Sequence, residues 1–200
     1  GMIKSVRHIS FINIRLSHQV KGCCKKVLPY IINGNETFHT LIISPPRCGK
    51  TTLLRDMIRM LSDGFPGFKG NTIGVVDERS EIGACYKGVP QNDIGMRTDI
   101  LDCCPKSYGM LMLIRSMSPQ IIAVDELGGK KDFQAVEQAA CSGVRILGTV
   151  HADTVEELWE KPYLKKWMKR GIFERFILIR HNRSGERDFQ VFNGKREQLC

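Results

Sequence analysis

The densest run of chemistry in the chain is Ser44-Pro45-Pro46-Arg47-Cys48-Gly49-Lys50-Thr51-Thr52. Its spacing matches the phosphate-loop pattern GxxxxGK[ST], except that Ser44 stands in the place of the first glycine. An apolar run over residues 40–44 delivers the chain to a tight loop, and a helix is expected to begin at Lys50. Loop N–H groups and the free donors of that helix N-terminus then converge on phosphates. In such a loop Lys50 supplies a mobile positive charge for the β- and γ-phosphates, while the Thr51 hydroxyl ligates Mg2+. Arg47 departs from a glycine-rich loop and either adds charge near the phosphates or points to solvent. The bland alternative is a strand–turn–helix joint that binds nothing.

A second signal is Ile121-Ile-Ala-Val124-Asp125-Glu126, an apolar strand closed by two carboxylates. After a phosphate loop, the first acid of such a strand holds magnesium and the second polarises the attacking water as general base. Those roles fall on Asp125 and Glu126. Another apolar run ends in Asp77-Glu78, and strand-end carboxylates at the C-terminal edge of a parallel sheet can orient water or metal. Glu78 is the preferred candidate of that pair; the alternative is a surface ion paired with Arg79. Thr149 and His151 end a further strand, where a histidine can hydrogen-bond the γ-phosphate or report its loss. Arg15, Arg79, Arg97 and Arg115 are candidates for an arginine that stabilises developing phosphoryl charge.

The elements needed to position these residues alternate between strand and helix from residue 40 onward, as in a parallel sheet with crossover helices. Strands are expected over residues 40–44, 72–77, 121–125 and 145–150, and helices over 50–62, 105–118 and 132–141. The stretch 81–104 reads as one long polar connection, suspect for function because of its length. A helix over 156–170 ends at Gly171, and a hairpin pairs 175–180 with 188–192 through Ser184-Gly185. Before residue 39 the pattern gives a short strand over 12–16 and a helix over 21–32 ended by Asn33-Gly34. The expected fold is an α/β RecA-like P-loop NTPase with a twisted, parallel-core sheet over residues 39–200. Residues 1–38 read as the remnant of an N-terminal domain, and a hairpin closes the C-terminus.

At 200 residues, 42% hydrophobic and 26% charged, the chain has an ordinary globular balance. No apolar stretch approaches the roughly 18 residues of a membrane span. No apolar segment follows the first basic residues, so no secretory signal is expected. Gly1 ahead of Met2 reads as a residue left by tag removal, which points to a piece of a longer protein. The eight cysteines include two vicinal pairs and no CxxC spacing, which favours free thiols in a reducing compartment over disulfides or structural zinc. The net charge of +9 gathers near both ends, for example at Lys25, Lys26, Lys165 and Lys166. No RRM, zinc-finger or aromatic-stacking pattern accompanies it, so nucleic acid is not the expected partner.

The order of motifs resembles that of the secretion-ATPase superfamily, the ring-forming motors of type II and type IV secretion. Ser44–Thr51 is similar to their Walker A loop, Val76–Glu81 to their acidic box, Ile121–Glu126 to Walker B and Gly143–His151 to the histidine box. Asn13-Ile14-Arg15 looks like the element whose arginine approaches the nucleotide. Within that superfamily the runs Gly88-Val-Pro-Gln-Asn92, Arg97-Thr-Asp99 and Leu113-Ile-Arg-Ser-Met-Ser-Pro119 resemble the stage III sporulation AA family. The resemblance implies ATP as substrate, Mg2+, and a homo-hexamer in the full-length protein. It also implies a place in the mother-cell cytoplasm, held at the membrane through sporulation or secretion channel proteins. The activity implied is ATP hydrolysis that energises a channel to the forespore. Two other readings stay open: a nucleic-acid-dependent P-loop motor, and a nucleotide-regulated scaffold without useful hydrolysis.

Overall fold

The computed structural model describes residues 8–12, 19–182 and 185–200. Its centre is a seven-stranded sheet whose runs of apolar residues are too hydrophobic for any solvent-facing surface. The strands are β3 (Thr40–Ser44), β4 (Ile73–Asp77), β5 (Thr98–Asp102), β6 (Ile121–Val124), β7 (Arg145–His151), β8 (Arg175–His181) and β9 (Arg187–Asn193), after a small hairpin of β1 (Ile32–Asn33) and β2 (Glu36–Thr37). The order across the sheet is β5-β4-β6-β7-β3-β8-β9, and every pairing is parallel except β8 with β9. Crossovers are made by α2 (Lys50–Asp63), α3 (Lys106–Ser116) and α4 (Lys130–Cys141). The short helices α1 (Leu28–Ile31), α5 (Glu157–Glu160) and α6 (Pro162–Arg170) complete the set.

Alternation along each strand builds two cores on opposite faces. Leu41, Ile43, Ile122 and Val124 pack with α3, α4 and α6, where Trp167 stacks on Phe133 at 5.4 Å. Ile42, Val75, Ile121 and Ala123 face α2, whose Leu53, Leu54, Met57 and Ile58 are buried together with Cys24, Val27, Leu28 and Ile31. Both faces are therefore covered, as a parallel sheet requires.

Four expectations are corrected. In place of a helix over 21–32, turns lead to α1, because Gly22 sits at φ +84° and Pro29 lacks the N–H that a longer helix would use. Asn33-Gly34 belongs to the β1–β2 hairpin turn, with Gly34 at φ +62°. The connection 81–104 contains β5, an edge strand pairing with β4. The helix over 156–170 breaks at Lys161, held extended (ψ 124°) by the ring of Pro162. Gly171 does cap α6 in the left-handed region at φ +63°. The expected strand over 12–16 falls mostly on residues outside those described, and Ser184 does too. Among the described residues, no helix is long and apolar enough to cross a membrane.

Candidate active site

Parallel strands deliver their C-terminal ends to one edge, and the chemistry gathers there. β3 stops at Ser44, the loop turns through residues 45–49, and α2 begins at Lys50. Gly49 takes φ +95°, a conformation open mainly to glycine. Arg47 also adopts a positive φ, +63°, which costs an L-residue about 1 kcal/mol and accounts for the glycine usually expected there. Lys50 is buried and turns inward. Its Nζ lies 3.0 Å from Ser44 O, 3.1 Å from Ser44 Oγ, 3.1 Å from Pro45 O and 2.9 Å from His151 Nδ1. Burial pushes its pKa down, and the charges of Asp125 and Glu126 partly counter this. The loop thus stores a cation among weak acceptors.

The register of β3 with β7 places Ser44 opposite His151. One strand over, β6 ends at Val124 and presents Asp125 and Glu126. Thr51 Oγ1 donates to Asp125 Oδ2 at 2.6 Å, so the two oxygens expected at magnesium face one another. Thr149, fully buried, donates to Asp125 Oδ1 and accepts from the Glu126 N–H at 2.8 Å. That clamp holds Glu126 at φ +53°, strain of the kind found at functional sites. Glu126 meets His151 Nε2 at 3.2 Å and Arg79 at 2.7 Å. Burial alone would raise its carboxyl pKa, but the His151 hydrogen bond and the Arg79 charge outweigh it and hold the carboxyl below its ordinary value.

Asp77 and Glu78 divide differently from the expectation. Buried Asp77 accepts the N–H groups of Glu81, Ile82 and Gly83 at 2.9, 2.8 and 2.8 Å. It therefore folds the following loop; burial raises its pKa more than those bonds lower it. Arg55 secures the same loop, donating to Ile82 O at 2.7 Å and Glu81 O at 2.5 Å. Glu78 pairs with Lys106 and does not line the phosphate cleft; Glu81 does. Arg97 binds Ser62 O at 2.8 Å and anchors the loop to α2, while Arg115 is exposed on α3. Arg15 lies outside the described residues. The residue missed from sequence is Arg187, whose guanidinium lies against Gly49 and lines the cleft.

The cleft holds about 690 Å³, within the range of small-molecule sites and ample for a nucleotide. A hydroxyl and a carboxylate suit magnesium, which keeps most of its water and takes few protein ligands. Among the described residues, no group of three or more His, Cys, Asp or Glu could hold a metal ion by itself.

Residues 1–199 match the family model described as sporulation stage III, protein AA. The chain is 42% identical over 177 residues to the stage III sporulation protein AA of Bacillus subtilis, covering 88% of this chain and 57% of that protein. It thus spans just over half of that relative's length. Among solved structures, the ATPase DotB of Legionella pneumophila superimposes with a TM-score of 0.65 at 16% identity, over 88% of this chain and 51% of DotB. The pilus retraction motor PilT, solved with bound ADP, gives 0.55 at 16% identity, over 77% of this chain and 46% of PilT. These likenesses show a RecA-like α/β fold. By sequence, the chain belongs to the sporulation stage III protein AA family.

Proposed function

We propose that this chain carries the nucleotide-binding domain of a magnesium-dependent ATPase motor of the secretion type. In the full-length protein it assembles as a homo-hexamer and energises a mother-cell-to-forespore channel during endospore formation. It works in the mother-cell cytoplasm, peripheral to the membrane through channel proteins. Residues 39–200 form the motor domain, with Cys24, Val27, Leu28 and Ile31 packed in its α2-side core. The carrying observation is that Lys50, Thr51, Asp125, Glu126 and His151, from three neighbouring strand ends, share one hydrogen-bonded network beside a phosphate loop.

The reaction is in-line attack of water on the terminal phosphorus of ATP. Lys50 leaves its loop carbonyls for the β- and γ-phosphates, and the N–H groups of residues 47–52 cradle the chain of phosphates. The Thr51 hydroxyl and Asp125 would hold magnesium, which would offset phosphate charge. Glu126 takes the proton of the attacking water. His151 orients that carboxylate, and Glu78 acts indirectly by holding Lys106, whose charge reaches Glu126.

Phosphate release and mass in solution, with and without an ATP analogue, test the proposal on the full-length protein. Magnesium-dependent turnover and a ring that forms with nucleotide are expected. A protein that binds ATP tightly yet never releases phosphate, with its membrane partner present, is a scaffold instead.

A further inference from the structure

The C-terminal hairpin reaches the phosphate loop at two adjacent points. His181 on β8 and Arg187 on β9 are cross-strand partners. His181 Nδ1 lies 3.7 Å from Cys48 Sγ inside the loop. Arg187 lies over Gly49 so closely that a Cβ there would fall 2.8 Å from its Cζ and 3.0 Å from its Nε. Arg187 lines the cleft together with Lys50, Thr51 and Thr52. Five donors in a planar fork thus open onto a cleft built for phosphate.

Arg187 lies against Gly49, the residue that opens α2 just before Lys50, whereas the Glu126 carboxylate is held elsewhere in the cleft by Arg79 and His151. Arg187 therefore stands against the phosphate loop itself. We infer that Arg187 is a nucleotide-binding residue, gripping the diphosphate portion shared by ATP and ADP from within the same subunit. The inference rests on the phosphate-loop reading above. An arginine so placed binds ground state and transition state alike, so it sets affinity and leaves the chemical step alone.

Calorimetric titration with magnesium–ADP and magnesium–ATPγS, together with steady-state turnover, tests this on the full-length protein and on Arg187→Gln and Arg187→Lys. Arg187 is exposed, and thermal melts check that both variants fold. Loss of a charge-assisted contact predicts that Arg187→Gln weakens both nucleotides about tenfold and raises KM to match, with kcat held. Arg187→Lys keeps the charge without the fork and recovers part of the loss. Unchanged affinity in Arg187→Gln overturns the inference. A hundredfold fall in kcat with ADP affinity intact overturns it too, by making Arg187 an arginine of the transition state. If the unmodified protein binds neither nucleotide, the phosphate-loop reading falls and takes this one with it.

Discussion

His151 Nδ1 lies 2.9 Å from Lys50 Nζ. Lysine offers donors only, so Nδ1 accepts and the ring proton sits on Nε2, 3.2 Å from Glu126 Oε1. One imidazole therefore links the cation proposed to grip phosphate to the carboxylate proposed to handle water.

That link gives a pH prediction. The Glu126 carboxyl is held below its ordinary value, so its contribution to turnover is present above that depressed pKa and lost as pH falls through it. In His151→Ala, burial is left opposed mainly by Arg79, and the acid limb of the kcat profile moves to higher pH. Turnover at neutral pH falls roughly tenfold. An acid limb in the same place would remove His151 from the control of Glu126.

Glu126→Gln keeps the shape of the side chain and removes its basicity. Nucleotide affinity should stay near its original value while kcat falls at least about 100-fold. Single-turnover phosphate release measures this, and unaltered turnover assigns the base elsewhere.

Thr149 holds the backbone of Glu126 and a carboxylate oxygen of Asp125 at once. Thr149→Val preserves volume but removes both contacts, so the water-handling carboxylate is misplaced. Turnover should drop roughly tenfold, with affinity changing less. Equal losses in both would mean that Thr149 acts through magnesium rather than through Glu126.

Asp56 ties the N-terminal turn to α2, accepting from Cys24 N at 2.9 Å and pairing with Arg59 at 2.7 Å, with both side chains largely buried. Burial alone would raise its pKa, but these bonds prevail and lower it. Its stabilisation is thus complete above the unfolded carboxyl value of about 4 and lost as pH falls through the lower native one. Asp56→Ala should destabilise by about 3 kcal/mol at neutral pH, and denaturant melts should show that gap closing as pH falls below about 4.

The parts legible in sequence are those where residue type alone sets the chemistry or the burial. Ser44–Thr51 and Val124–Glu126 announce themselves by spacing, and β3, β4, β6 and β7 by their largely apolar content. β5 is an edge strand with one half-covered face, so Thr98–Asp102 alternates too weakly to separate from loop. Pro162 does carry the signal that splits α5 from α6, because its ring restricts Lys161. The role of Asp77 is not legible: a strand-end carboxylate looks the same whether it caps a loop or faces a ligand. Arg187 belongs to no motif, and only the antiparallel return of β9 brings it to Gly49.

The most direct test is calorimetric titration of magnesium–ATPγS into the full-length protein, beside Lys50→Ala. The account predicts saturable binding between about 1 μM and about 1 mM, abolished by the substitution. No heat of binding at millimolar nucleotide in well-folded protein, or equal binding by Lys50→Ala, would contradict it.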